Sequence, residues 1–73
     1  MMIGVFDSGF GGLTIMSALL RELPEYDYIY LGDSARAPYG GHSKEMVLQY
    51  TREGVQNLFK RGAKIVILAC NTA

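Results

Sequence analysis

The sequence has little cysteine, proline or tryptophan, and neither sign of charge dominates it. Its 73 residues include one cysteine, two prolines and no tryptophan. A single cysteine cannot form a disulfide within the chain, which agrees with a reducing compartment, so we expect a cytoplasmic protein. Seven basic residues balance seven acidic ones. No basic stripe appears along the sequence, so we expect no nucleic-acid partner.

Long hydrophobic runs are also missing. No apolar segment approaches the roughly 20 residues that a membrane-spanning helix needs, so we expect no membrane partner. The first residues carry no positive charge before their apolar stretch and reach Asp7 too soon for a signal peptide. One cysteine and one histidine do not supply a zinc site, so no metal is expected.

Apolar side chains, by contrast, are abundant. They make up 49% of the chain, which excludes a disordered tail. The length allows at most one small domain, and a domain this small buries only about 60% of the surface of its unfolded chain. A parallel sheet also needs helices on both faces. Because the chain stops soon after Cys70, where another helix ought to begin, we expect a fragment of a longer protein.

Hydrophobic periodicity predicts three strands that alternate with two helices. Short apolar runs at 2–6, 28–31 and 65–69 are typical of buried strands. Helical spacing predicts a first helix that stops at Pro24 and a second that begins after Ser43, a preferred N-cap residue. The residues with this spacing are Leu13, Met16, Leu20 and Leu23 in the first helix and Val47, Leu48, Tyr50, Gly54, Val55, Leu58 and Phe59 in the second.

The order β-α-β-α-β predicts an α/β fold, a parallel three-layer segment of a doubly wound domain, and we expect it to be incomplete. The last strand, at 65–69, is apolar throughout, so we expect it to be central. Ligands of open parallel sheets bind beyond the carboxyl ends of the strands. If the first strand lies between the other two, Asp7 and Cys70 emerge side by side. The order of the elements alone therefore predicts a site at this edge of the sheet.

The turn after the first strand is rich in glycine. Glycines between a strand and a helix allow a sharp turn and direct N–H groups at an anion. The alternative is a tight turn in which Asp7 or Ser8 caps the helix. The spacing fits neither a P-loop nor a G-x-G-x-x-G fingerprint, although Asp33 lies about where a ribose-binding acid would fall. A nucleotide-binding module therefore stays open as an alternative function.

The loop after the second strand is long for its type of connection, and long ordered loops are commonly functional. Pro38 fixes one φ angle and the glycines after Tyr39 permit unusual ones, so Tyr39 could be held rigidly over a ligand. The alternative is a simple turn with an exposed tyrosine. Arg36 either binds a carboxylate or pairs with Asp33.

Cys70 follows the last strand, next to Asn71 and Thr72. A lone cysteine is commonly an inert core residue. A thiol at a strand end that faces the start of a following helix, however, is where reactive cysteines lie. Asn71 and Thr72 add hydrogen-bonding groups there or cap that helix. His42 is expected to be a solvated residue before the second helix rather than a catalyst.

Three motifs together indicate a family: Asp7–Gly12, Pro38–Gly40 and Cys70–Ala73. Each alone is weak, but in this order and at these separations they resemble the N-terminal part of glutamate racemases, across the whole chain. Aspartate racemases share the last motif and usually lack the first two, so the resemblance favours glutamate.

The resemblance implies an amino-acid racemase, an isomerase that needs no cofactor. In this family two α/β domains close around glutamate and each contributes a cysteine; one thiolate removes the α-proton and the opposite thiol returns one to the other face. By the motif match, Cys70 would be one of this pair, and Asp7 would help to control its protonation. The residues that would hold the substrate are Ser8, Pro38, Tyr39, Gly40, Asn71 and Thr72.

The resemblance also places the chain within a larger protein. Residues 1–73 would be the N-terminal part of the first domain, and the second domain, with the other cysteine, is absent. We therefore expect the segment alone to be inactive. The D-glutamate product would serve peptidoglycan synthesis, and so cell-wall biogenesis and cell shape. A homodimer of the full-length protein is a further expectation, and a non-catalytic fragment stays open as another alternative.

Overall fold

The computed structural model describes residues 1–9 and 11–69. Its described strands form one parallel sheet, with helices between them in alternating order. The predicted α/β fold is thus confirmed. The strands are β1 (Met2–Asp7), β2 (Asp27–Gly32) and β3 (Ile65–Leu68), and the α-helices are α1 (Gly12–Glu22) and α2 (Lys44–Lys60).

The sheet order is β2-β1-β3, so β1 is the middle strand. It pairs along its whole length with β2 and, from Ile3 to Phe6, with β3. The prediction that the last strand is central is therefore wrong for the described sheet. Ile65 and Leu68 are 49% and 45% exposed, whereas Phe6 is fully buried. A continuous apolar run shows that a strand is hydrophobic on both faces, but it does not determine the strand's place in the sheet.

The main hydrophobic core lies between the sheet and α2. Gly54 of α2 lies against Phe6 of β1, and a Cβ at position 54 would overlap the phenylalanine ring. The predicted buried side of α2 is confirmed at Gly54 and Leu58, but Leu48 and Phe59 are 57% and 48% exposed. The buried core residues are Phe6, Tyr39, Leu58 and Ala63.

Helix α1 lies on the opposite face of the sheet, where alternation along β1 places Val5 and Asp7. It ends at Glu22, before Pro24, as predicted. The helical spacing does not translate into burial, however, because Leu13 is 68% and Leu20 is 53% exposed. The described residues therefore leave much of the apolar side of α1 uncovered.

Candidate active site

Asp7 ends the central strand, and its side chain is held by the turn that follows. The residue is 3% exposed. Its Oδ1 accepts a hydrogen bond from the Gly9 N–H and its Oδ2 accepts one from the Gly12 N–H, each at 3.0 Å. A buried carboxylate needs such donors because its desolvation is costly. Asp7 thus serves the first N–H of α1, whose N-cap residue Gly11 has no side chain to do so. This agrees with the helix-capping interpretation of Asp7.

A third donor reaches Asp7 from the neighbouring strand. The Tyr30 hydroxyl on β2 donates a hydrogen bond to Asp7 Oδ2. Val5 pairs with Tyr30 in the sheet, so Tyr30 and Asp7 lie on the same face. Burial, together with the hydrogen bond to Asp7 and the charge of Asp7, raises the pKa of Tyr30 to about 12. The hydroxyl is therefore protonated at neutral pH and acts as a donor.

Tyr30 is not among the site residues predicted from the sequence. The signal that could have indicated it is the alternation of tyrosine and aliphatic residues in β2. In a strand this pattern places the hydroxyls of Tyr28 and Tyr30 on one face and Ile29 and Leu31 on the other. Which polar group those hydroxyls meet depends on the register with β1.

The turn after β1 contacts the loop after β2. Gly9 has a φ of 123°, a conformation that side-chain-bearing residues rarely adopt. A Cβ at position 9 would lie 2.5 Å from the Cβ of Ala37 and 3.6 Å from the carbonyl oxygen of Asp33. The Asp33 N–H also donates to the Asp7 carbonyl oxygen at 2.9 Å. Two of the three predicted site segments therefore meet at the carboxyl edge of the sheet.

Asp33 connects this loop to α2. Its Oδ2 accepts hydrogen bonds from Arg36 Nε at 2.7 Å and from the Tyr39 hydroxyl at 2.5 Å. Arg36 also donates to Glu53 Oε2 at 2.8 Å, and its guanidinium lies 4.0 Å from the centroid of the Tyr50 ring. The Arg36–Glu53 hydrogen bond lowers the pKa of Glu53 and raises that of Arg36. Of the two roles predicted for Arg36, the pairing with Asp33 is the one observed.

Tyr39 belongs to the core beneath α2. It is 2% exposed, and its ring centroid lies 6.3 Å from that of Phe6 and 5.5 Å from that of Tyr50. The alternative of an exposed turn tyrosine is therefore wrong. The peptide bond before Pro38 is cis, and both Pro38 and Gly40 are exposed. The loop thus presents Pro38 and Gly40 to solvent and anchors itself through the residue between them.

Four predicted site residues remain, and Ser8 is the one among them that the structure describes. Ser8 is 5% exposed and directly follows Asp7. The strand that leads to Cys70 runs parallel to the strand that leads to Asp7, with Leu68 paired to Phe6. The arrangement of β1 and β3 on which the predicted site depends is thus observed. The predicted site residues that lie outside the described residues are Cys70, Asn71 and Thr72.

Several other sequence expectations concern side chains away from Asp7. His42 is exposed before α2, with its Nε2 2.9 Å from the Arg36 carbonyl oxygen, as predicted. Within residues 1–9 and 11–69, no group of three histidine, cysteine, aspartate or glutamate side chains could hold a metal ion. Over the same residues, no helix combines the length and the apolar composition that crossing a bilayer requires.

Comparison with curated proteins relates the whole chain to one group of enzymes. No protein-family model matches it. The glutamate racemase of Caulobacter sp. (strain K31) is 58% identical over 73 residues, which cover 100% of this chain and 26% of that protein. The glutamate racemase of Oceanobacillus iheyensis is 55% identical over 71 residues, which cover 97% of this chain and 26% of that protein.

Solved structures give the same result. The glutamate racemase of Thermus thermophilus, in complex with β-chloro-D-alanine, matches 94% of this chain and 27% of its own, with a TM-score of 0.89 and 49% identity. The glutamate racemase of Aquifex pyrophilus matches 93% of this chain and 27% of its own, with a TM-score of 0.89 and 43% identity. The resemblance predicted from the motifs is confirmed: the chain is a homologue of glutamate racemases and spans about a quarter of their length.

Proposed function

We propose that this chain is the N-terminal part of the first domain of a glutamate racemase, which interconverts L-glutamate and D-glutamate without a cofactor. The observation that carries the proposal is the 47–58% identity to glutamate racemases along essentially the whole chain. The second domain would supply the other half of the site. The full-length enzyme would act in the cytoplasm, supply D-glutamate for peptidoglycan synthesis, and assemble as a homodimer.

The proposed chemistry is a proton transfer between two thiols across the substrate. One thiolate takes the α-proton from one face of glutamate, and the thiol on the opposite face gives a proton to the carbanion-like centre. Each turnover therefore leaves the substrate inverted and the two sulfur atoms with their protonation exchanged. Cys70 would be one of these sulfurs. Residues that would hold glutamate are Ser8, Pro38, Tyr39, Gly40, Asn71 and Thr72.

Asp7 would act on the Cys70 thiol rather than directly on the substrate. β1 and β3 are neighbours in the described sheet, and Asp7 ends β1. A fixed carboxylate beside a thiol influences where the proton of that thiol resides. Because the carboxylate is buried and bound by backbone donors, its charge has a defined position. Preorganised charge of this kind is effective in catalysis, because it needs no rearrangement during the reaction.

The test is the substitution Cys70→Ser in the full-length protein. We expect racemisation of glutamate, followed by circular dichroism from either enantiomer, to fall by roughly three orders of magnitude, since a serine hydroxyl is a far weaker base than a thiolate. Melting temperature should stay near that of the parent, because the substitution replaces a single side-chain atom. Racemisation at the parental rate would exclude the role given to Cys70.

A second experiment tests the division of the site between two domains. The 73-residue chain alone should not racemise glutamate, because it contains one cysteine and thus no thiol for the opposite face. Activity of the purified chain that persists after Cys70→Ser would point to a contaminating racemase. Activity that depends on Cys70 in the isolated chain would contradict the two-domain arrangement.

A further inference from the structure

The Tyr30 hydroxyl has no part in the chemistry proposed above, yet it contacts the buried Asp7 carboxylate at the carboxyl edge of β1. We infer that Tyr30 is a positioning residue that fixes the orientation of the Asp7 carboxylate. The inference rests on the proposed function, because it matters for catalysis only if Asp7 does. Tyr30 itself would touch neither substrate nor thiol.

The backbone donors that hold the Asp7 carboxylate both come from the turn that follows β1. The terminal torsion of an aspartate side chain is broad and roughly twofold. Gly9 N–H binds Oδ1, and Gly12 N–H binds Oδ2, both from the same short turn. The Tyr30 hydroxyl adds a second donor to Oδ2 from a different strand. A donor on the rigid sheet therefore fixes Asp7 independently of any movement of the glycine turn.

Gly32 provides the space for this contact. It pairs with Asp7 in the sheet and lies two residues after Tyr30 on the same face. A Cβ at position 32 would lie 3.2 Å from Tyr30 Cε1 and 3.5 Å from the Tyr30 hydroxyl oxygen. With no side chain there, the ring can extend along β2 towards the end of β1. The hydroxyl can thus reach Asp7 although Tyr30 lies two residues before Gly32, the residue that pairs with Asp7.

Tyr28 provides a matched comparison on the same strand and face. Its hydroxyl donates to the Leu23 carbonyl oxygen at 2.6 Å and lies 3.4 Å from the Leu19 carbonyl oxygen, at the carboxyl end of α1. That contact joins β2 to the helix at the edge of the sheet opposite Asp7. Tyr28→Phe and Tyr30→Phe therefore each remove one hydroxyl of β2 together with its hydrogen bonding. Only the second variant removes a contact of Asp7.

The first experiment compares these two variants in the full-length enzyme. Tyr30→Phe should lower kcat about tenfold or more and change KM little, because a displaced carboxylate affects the reacting geometry rather than uniform binding. The pH dependence of kcat should shift as well. Tyr28→Phe should leave kcat and its pH profile unchanged, with a similar loss of melting temperature. Equal kcat values for the two variants would overturn the inference.

A double-mutant cycle with Asp7→Asn then separates positioning from a general structural effect. If Tyr30 acts through Asp7, Tyr30→Phe should change the kcat of the Asp7→Asn enzyme by less than about twofold. Equal fold losses in both backgrounds would mean that Tyr30 acts by another route and would refute the inference. Parental activity of Asp7→Asn would refute the role of Asp7 and with it the inference. If Asp7→Asn were inactive while Tyr30→Phe kept the parental kcat, the inference about Tyr30 would be refuted and the role of Asp7 would stand.

Discussion

The two helices approach β1 in the same manner but against different side chains. Each brings one buried glycine against the central strand: Gly12 of α1 meets the carboxyl group of Asp7, and Gly54 of α2 meets the ring of Phe6. A Cβ at either glycine would overlap its partner. Because Phe6 and Asp7 are consecutive, they point to opposite faces of the sheet. One close approach therefore buries an aromatic ring, and the other confines a carboxylate.

The contacts on the two faces of the sheet therefore differ in their consequences. Beneath α2 lies the hydrophobic core, with Phe6 and Leu58 almost fully buried. Beneath α1 lies the hydrogen-bond network of Asp7, while α1 itself leaves Leu13 and Leu20 more than half exposed. We conclude that contacts under α2 chiefly stabilise this part of the fold, and that contacts under α1 chiefly fix Asp7. The following variants test that division in the full-length protein.

The largest expected effect on stability concerns a leucine on each helix. Leu58 is 1% exposed, whereas Leu20 is 53% exposed. Leu58→Ala should lower the free energy of unfolding by about 3 kcal/mol, the usual result of opening a cavity in a core. Leu20→Ala should cost less than about 1 kcal/mol. Urea denaturation of both variants gives the comparison, and equal losses would show that α1 is as deeply packed as α2.

The next effect concerns the two glycines themselves. Gly54→Ala should lower the free energy of unfolding by about 2 kcal/mol, because overpacking against Phe6 exceeds the gain in helix propensity. The kcat of the folded enzyme should be unchanged. Gly12→Ala should instead lower kcat about tenfold or more, since its Cβ displaces the Asp7 carboxylate.

The pattern across these two glycine variants matters more than either value. Thermal melts report the stability of each, and racemisation rates normalised to folded protein report the site. If Gly54→Ala lowered kcat as much as Gly12→Ala did, the two faces would not differ in function. If Gly12→Ala left kcat at the parental value, the confinement of Asp7 would be irrelevant to the reaction.

The sequence predicts the strands and α-helices that form the two faces compared above. Apolar runs and helical spacing give the described strands and α-helices, and the alternating order gives a parallel sheet, but the two short 3-10 helices at Ser34–Arg36 and Tyr39–Gly41 lie in the segment predicted as a loop. Ser43 caps α2 and Pro24 follows the end of α1, as predicted. These features depend on local chemistry, namely backbone propensity and capping, which a sequence displays directly.

Features that depend on which elements meet are the ones that the sequence does not reveal. Periodicity shows an apolar side on α1, but the burial of that side depends on what covers it. Tyr39 lies in a turn-like segment, yet it is buried because its ring reaches Phe6 beneath α2. Tyr30 meets Asp7 because the register of β1 with β2 brings them together. Register and packing partners are set by the assembled fold.

The smallest expected effect concerns how the first N–H groups of the two helices are satisfied. In α2 the Ser43 hydroxyl accepts from the Met46 N–H at 3.2 Å, whereas in α1 the Asp7 carboxylate accepts from the Gly12 N–H. Ser43→Ala should lower the free energy of unfolding by about 1 kcal/mol and leave kcat unchanged.

Ser17→Ala, on the exposed side of α1, is the control and should change stability by less than about 0.5 kcal/mol. A fall in kcat with Ser43→Ala would show that the start of α2 also influences the site, through the loop that Asp33 and Arg36 connect to this helix. An unchanged kcat would leave α1 as the helix whose first turn is bound by a residue of the proposed active site. In that helix, removing the Asp7 carboxylate would remove both the acceptor of the first N–H and the group proposed to act on Cys70, so we expect one substitution to lower stability and kcat together.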